Sequence, residues 1–243
     1  MSDLSTYQEL ARRYGFAPKP ESASRLTQLV ARQDCDVDEI AKVINKDTAL
    51  RERLLRAANP DSENAAEYTI ETVEEALIRQ GVGCAMVLAM GTPLALALIK
   101  TFQTMLSLKL EMIDRNLGEP LDDEHLRGII NFSGRVVGAV YLRMNRASAQ
   151  AIAAGILGVT AKEMTDSGEI RDAAGELLNI MTGNFKSNLC DAGLDCRLQP
   201  PDVNFTTDSR SPLVPGGGLE RMAFRSATIQ LFVDVTANPW NDD

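Results

Sequence analysis

Apolar residues recur at helical spacing through the first part of the chain. The segments 21–34, 37–45 and 48–58 each carry one apolar stripe and a charged opposite face, which predicts three amphipathic helices. A stop and turn are expected at 59–62, and one more helix is expected to end at Gly81. This part is therefore predicted to be all-helical.

The pattern changes after about residue 93, where helical and alternating segments mix. Three helices and three strands are expected there, over residues 94–108, 129–132, 136–142, 147–157, 168–189 and 226–235. Ser133-Gly134 fits a hairpin turn, and loops are expected at Pro200-Pro201 and at 212–218. The predicted fold class is α+β: a helical module at 1–92, then an antiparallel sheet packed with long helices at 93–243.

The twenty residues from Gln80 to Ile99 carry no charge, and that length could span a bilayer. Gly91-Thr92-Pro93 interrupts them and favours two buried helices that meet at a turn, which is also the expected domain boundary. A membrane span stays the alternative, and solubility without detergent would dispose of it. The polar N-terminus lacks the apolar core of a signal peptide, so we expect a cytoplasmic protein without a membrane partner.

Composition excludes several classes of function. Of the 243 residues, 44% are hydrophobic and 24% charged, as in ordinary globular proteins, and the net charge is −9. An acidic chain repels phosphate backbones and anionic lipids, so nucleic acid is not an expected partner. His125 is the only histidine, which leaves almost no material for a His-based metal site or a Ser/His relay. No metal site is predicted.

The cysteines Cys35, Cys84, Cys190 and Cys196 form no C-x-x-C pair. Buried free thiols in a reducing cytosol are the first interpretation. A disulfide or redox role for Cys190 and Cys196, which are close in sequence, stays open.

The predicted helix 168–189 carries a narrow polar stripe. At about 100° per residue, Asp172, Glu176, Asn179 and Gly183 fall within about 60° of one another. The opposite face is apolar, with Ile170, Ala174, Leu177, Met181 and Phe185. A solvated polar stripe is the simplest interpretation. Against it, glycine inside a helix lowers the helix stability by about 1 kcal/mol relative to alanine, and this helix contains Gly175 and Gly183. Gly183 would let another surface approach the Glu176–Asn179 pair.

Glu176 and Asn179 are three residues apart and therefore neighbours on the helix surface. A carboxylate can bind a partner's cation, and a carboxamide offers one acceptor and two donors. Such an amide can hold a water by its proton and direct the lone pair elsewhere, supplying orientation rather than a strong base. The pair therefore predicts a site that hydrolyses a phosphate carried by a partner.

The motif Asp172-x-x-x-Glu176-x-x-Asn179 resembles the D/S-x-x-x-E-x-x-N signature of the CheC/CheX/FliY chemotaxis phosphatases. The strand pair at 129–142 and the segment 175–184 also look like CheX. Pro200-Pro201 lies close to the spacing of the family's downstream proline. The resemblance covers about residues 95–237.

This resemblance implies hydrolysis of the aspartyl phosphate of a CheY-like response regulator in two-component signalling. It places Glu176 as the anchor that docks a regulator lysine and Asn179 as the group that orients the attacking water. Asp172 and Gly183 are accessory or partner-binding. The chain needs no cofactor of its own, because Mg²⁺ belongs to the regulator. The family dimerises through sheet edges, so the long tail strand makes a homodimer reasonable.

The first part resembles a truncated HDOD domain over about residues 18–92. The matching pattern is Ile44-x-x-Asp47-x-x-Leu50-x-x-Arg53-Leu54-Leu55-x-x-Ala58-Asn59, with Thr48 and Pro60 as departures. The resemblance implies a signalling or partner-binding module, and a helical cap that only packs on the second part is the alternative. For the whole chain, the alternative to a phosphatase is a non-catalytic adaptor that binds a phosphorylated receiver.

Overall fold

The structure is a computed structural model of the chain. It describes residues 20–30, 32, 34–59, 69–113, 121, 124–191, 194–208 and 218–238. All of the predicted turn at 59–62 except Asn59 lies outside the described residues.

Within the described residues, the first part has four helices: α1 (Pro20–Val30), α2 (Val37–Asn45), α3 (Thr48–Ala58) and α4 (Val73–Gln80). Side-chain oxygens cap three of their N-termini, which satisfies backbone N–H groups that have no partner within a helix. Asp36 accepts from the N–H of Asp38 and begins α2. Thr72 accepts from the N–H of Glu75 and begins α4. The predicted helical character of this part is confirmed.

Helix α5 (Val82–Leu106) runs for 25 residues without a break. The turn predicted at Gly91-Thr92-Pro93 is therefore wrong, and the expected boundary at 92/93 falls inside this helix. Packing explains the difference, because α5 contacts α1, α3 and α4 on one side and the second part on the other. Such tertiary packing outweighs local helix-breaking tendencies. The division into 1–92 and 93–243 stays a prediction. Among the described helices, none is long and apolar enough to cross a membrane.

Seven antiparallel strands form one sheet in the second part. They are β1 (Glu111–Ile113), β2 (His125–Gly134), β3 (Val137–Asn145), β4 (Cys196–Leu198), β5 (Asp202–Thr206), β6 (Gly218–Arg225) and β7 (Gln230–Asn238). The order is β1-β6-β7-β3-β2-β4, and β5 also pairs with β2. Since β3 occupies one edge of β2, the short strands β4 and β5 share the other. The predicted β2–β3 hairpin is confirmed, but its turn lies at Arg135-Val136, and Ser133-Gly134, where the turn was expected, are the last residues of β2.

The tail strand β7 lies inside the sheet, between β3 and β6. It is therefore not the free edge that we expected for a homodimer. Every residue from Leu231 to Ala237 is buried, on both faces of the strand. Neither β6 nor the short strands were expected from the sequence, and β6 begins inside the loop predicted at 212–218.

Three helices cover one face of the sheet: α5, α6 (Arg146–Leu157) and α7 (Ser167–Asp191). Helix α5 packs on β6 and β7, whereas α7 packs on β2, β4 and β5. One hydrophobic core runs through both parts, from Leu26 in α1 to Phe102 in α5 and Val233 in β7. The predicted fold class, a helical module followed by an antiparallel sheet with long helices, is confirmed.

A buried ion pair joins the two parts. Arg53 of α3 donates to the carboxylate of Glu220 in β6, and both side chains are about nine-tenths buried. Gly91 makes room for this pair, because a Cβ there would lie 2.9 Å from Cγ of Glu220. A side chain at this position of α5 would therefore displace the carboxylate.

Candidate functional site

Helix α7 is held at its N-terminus and along one face. The Asp166 carboxylate accepts from the backbone N–H groups of Gly168 and Glu169, at 2.5 and 3.2 Å, and starts the helix. All five predicted apolar residues are buried: Ile170, Ala174, Leu177, Met181 and Phe185. The Phe185 ring packs edge-on against Phe132 of β2, with centroids 5.9 Å apart. These contacts fix which face of α7 points outward.

The outward face carries the predicted stripe. Asp172, Glu176 and Asn179 are exposed, and Gly183 is half-exposed. Glu176 and Asn179 lie three residues apart in regular helix, so the structure brings their side chains together. No described residue forms a hydrogen bond or an ion pair with either side chain. Both are therefore available to a second molecule.

The two glycines of α7 differ in their surroundings. Gly175 is buried, and a Cβ there would contact Pro201 at 3.8 Å and Val203 at 3.7 Å. At Gly183, a Cβ would meet no atom within 4 Å. Pro201, part of the proline pair singled out in the sequence, thus lies beside the turn of α7 that carries Glu176.

Ile180 belongs to the same outward arc of α7, although it was not part of the predicted polar stripe. It is half-buried, although the described core takes in the neighbouring Leu177, Leu178 and Met181 without it. Helical geometry places Ile180 about 40° beyond Glu176. That angle alone would have found it, had the stripe been defined by direction instead of polarity.

The cysteines fall into two classes, and all four are free thiols. Cys84 and Cys196 are buried, and burial raises the pKa of Cys84 to about 12 and that of Cys196 to about 11. Cys35 and Cys190 are half-buried. The interpretation as buried free thiols therefore holds for two of the four.

His125 is buried at the start of β2, and neither ring nitrogen has a hydrogen-bond partner in the described part of the chain. Its strand neighbours are Asn145 and Thr206. The described residues contain no group of three or more His, Cys, Asp or Glu side chains placed to hold a metal ion.

The HDOD-like pattern has structural roles inside the subunit. Asp47 is buried and accepts from the N–H groups of Ala49 and Leu50 at the start of α3. The Asn59 amide donates to the carbonyl of Ile70 at 2.8 Å, and its oxygen accepts from the N–H of the same residue at 2.9 Å. Together with the Arg53–Glu220 pair, these contacts show that Asp47, Arg53 and Asn59 of the pattern stabilise the folded subunit.

Comparison with known families follows this division of the chain. Residues 126–212 match the family model described as chemotaxis phosphatase CheX. The second part of the chain is CheX-like. Residues 17–113 match the HDOD domain model, which includes α5 and β1. Both resemblances drawn from the sequence are confirmed.

Two of the solved structures that resemble this chain, with TM-scores of 0.53 and 0.50, show the same fold for the CheX-like part. The chemotaxis protein CheX from Vibrio vulnificus is 22% identical, with a TM-score of 0.53 over 61% of this chain and 96% of that chain. A CheC-like superfamily protein from a Shewanella species is 22% identical, with a TM-score of 0.50 over 61% and 97%. A complex of CheX with CheY, BeF3 and Mg²⁺ from Borrelia burgdorferi is 19% identical, with a TM-score of 0.46 over 60% and 96%. No curated protein matches the chain.

Proposed function

We propose that this protein hydrolyses the aspartyl phosphate of a CheY-like response regulator. The observation that supports this most directly is the exposed Glu176–Asn179 pair on α7, within the part that is CheX-like. Neither side chain is engaged by the described residues, and the buried apolar face of α7 fixes the helix backbone that carries both. An exposed, rigidly supported pair suits docking followed by water positioning.

Glu176 acts as the docking anchor in this proposal. Its carboxylate binds a cation on the regulator, expected to be a lysine, and the contact gains strength as docking removes water around it. An exposed ion pair contributes little by itself, about 0–1 kcal/mol. We therefore expect Glu176 to set orientation and encounter more than total affinity.

Asn179 orients the attacking water. The water oxygen bonds to phosphorus as the bond from phosphorus to the aspartyl oxygen breaks, which yields inorganic phosphate and the regulator's free carboxylate. An amide side chain is no base, so it contributes position, and Mg²⁺ held by the regulator would neutralise the transferred charge. Asp172, one turn before Glu176, is assigned no part in the chemistry.

The test uses purified CheY-like receivers of the same organism, phosphorylated by a small phosphodonor, with and without this protein. We expect faster phosphate loss with the wild type, no acceleration with Asn179→Ala, and weaker docking with Glu176→Ala. Asn179→Asp is a second probe, since it keeps the shape and loses both donors. Asn45→Ala serves as the control, because Asn45 is an exposed helix-end asparagine in the other part.

Full acceleration by Asn179→Ala would overturn the assignment of that residue. Tight binding of the phosphorylated receiver with an unchanged phosphate lifetime would instead support the adaptor function. Cytoplasmic location and homodimer formation remain predictions. With β7 inside the sheet, a dimer through strand pairing would need one of the outer strands, β1 or the β4–β5 edge.

A further inference from the structure

Gly183 lies well inside α7, eight residues before its end at Asp191. It is not among the described glycines with a positive φ, so its backbone conformation does not call for glycine. Alanine there would meet no atom within 4 Å. Since glycine costs a helix about 1 kcal/mol against alanine, nothing described in this subunit explains its presence.

Other helical glycines of the chain do have an internal explanation. A Cβ at Gly91 would lie 2.9 Å from Glu220, and one at Gly155 would lie 2.8 Å from Leu106. Gly175 is buried under Pro201 and Val203, where a Cβ would make only ordinary contacts, at 3.8 and 3.7 Å. At Gly183 a Cβ would meet nothing described, so neither a close contact nor burial within the subunit accounts for this glycine.

Ile180 points to the same conclusion. It is a β-branched apolar residue, four positions after Glu176 and three before Gly183, and it lies outside the described core. Residues at these spacings are neighbours on a helix surface. An apolar side chain beside a bare stretch of backbone makes a shallow shelf next to the polar pair.

We propose that Ile180 and Gly183 form a docking shelf on which the receiver closes against the α7 backbone. The inference rests on the proposed function and adds the shape of the contact. The receiver presents a cation to Glu176 and an apolar surface to Ile180, and it approaches Gly183 to within the radius of a methyl group. When the receiver closes to this distance, it displaces bulk water from the interface. The water held by Asn179 then stays beside the phosphate as the attacking molecule.

The decisive comparison is Gly183→Ala against Gly175→Ala, the same change eight residues apart on one helix. Both variants should unfold at a higher temperature than the wild type, because both gain helix propensity and neither meets a close contact. Only Gly183→Ala should lose affinity for a CheY-like receiver loaded with beryllium fluoride and Mg²⁺, by roughly tenfold, as expected when one methyl overpacks an interface. Titration calorimetry and thermal unfolding give the two readouts.

A second variant, Ile180→Thr, keeps the branched shape and makes the shelf polar. It should weaken receiver binding and lower the unfolding temperature only slightly, because Ile180 is half-buried and lies outside the described core. If the wild type binds the receiver and Gly183→Ala binds it equally well, the shelf is refuted and the proposed function stands. If Gly183→Ala unfolds at a lower temperature, the premise of open space is wrong. If no receiver binds the wild type, both proposals fall.

Discussion

Asn59 shows how much a single side chain contributes to the helical part. Its amide reaches from the end of α3 to the segment before α4 and satisfies both backbone groups of Ile70. A second donor contact, at 2.9 Å, goes to the carbonyl of Leu55 in its own helix. Buried backbone groups deprived of partners cost more than the hydrogen bond itself contributes. Asn59 therefore fixes the path between the two helices.

Replacing Asn59 by alanine should lower the free energy of unfolding by about 1–3 kcal/mol. Chemical denaturation followed by circular dichroism measures the change. Asn59→Asp is the companion variant: it keeps the acceptor for the N–H of Ile70 but sets a carboxylate oxygen against the carbonyls of Ile70 and Leu55, so at pH 7 it should be at least as damaging as alanine. An unchanged denaturation midpoint for Asn59→Ala would show that water replaces the amide at no cost.

The raised pKa values of the buried thiols give a second prediction. Cys84, with a pKa of about 12, and Cys196, with one of about 11, stay protonated and covered at pH 9. Because the thiolate is the reactive form, alkylation should modify Cys35 and Cys190 first and reach the buried pair only in denaturant. Peptide mass spectrometry resolves the order. Rapid labelling of Cys84 in the native protein would contradict it.

Among the helices, α7 was predictable and α5 was not. An amphipathic helix at the surface is recognised in the sequence by apolar residues at a period of 3.6. Accordingly, α7 extends only two residues past the predicted end at Leu189. Helix α5 is buried on several sides, so its sequence shows no clear stripe, and only its neighbours reveal that it continues past Pro93. The candidate site was found as polar residues, while Ile180, an apolar residue on the same arc of α7, was left out because the stripe was defined by polarity.

The short strands β4 and β5 were not predicted from the sequence, for a related reason. β4 has three residues and β5 has five, with Pro200-Pro201 between them. Their pairing with β2 depends on an edge supplied by distant sequence, which local patterns do not record. The long strands β2, β3 and β7 carried enough alternating or β-branched residues to be recognised.

The C-terminal end of α5 offers a test of helix capping. Ser107 adopts the left-handed conformation there, with φ of 52°, and its backbone N–H donates to the carbonyl of Phe102. Glycine takes this conformation without the steric cost that other residues meet. Ser107→Gly should therefore raise the free energy of unfolding by about 1 kcal/mol, and Ser107→Ala should not. Equal thermal midpoints for the two variants would rule this explanation out.

The buried Arg53–Glu220 pair adds a charged contact to the hydrophobic core that joins the helical part and the sheet. Burial raises the pKa of Glu220, and Arg53 opposes that rise. A carboxyl whose pKa is raised by folding stabilises the protein least at high pH, since the unfolded chain ionises first. Arg53 limits this loss at neutral pH.

Arg53→Met should therefore destabilise the protein by about 3–5 kcal/mol at pH 7, because it leaves a buried carboxylate unpaired. The loss should shrink as the pH falls towards 5 and Glu220 takes up a proton. Adding Glu220→Gln should recover most of the stability at pH 7. Denaturation curves at the two pH values check the sign, and an equal loss at both would exclude Glu220 as the cause.

Helix α5 has a consequence for how such a chain could arise and be re-engineered. A cut at 92/93 would divide helix α5. The fragment that contains the sheet would lose the N-terminal half of α5, which carries Gly91 and faces Glu220. Exchanging the helical part for another domain would thus require transplanting α5 as well, although α5 also packs against α7. The two parts share helix α5, so recombination at their junction has to keep this helix intact.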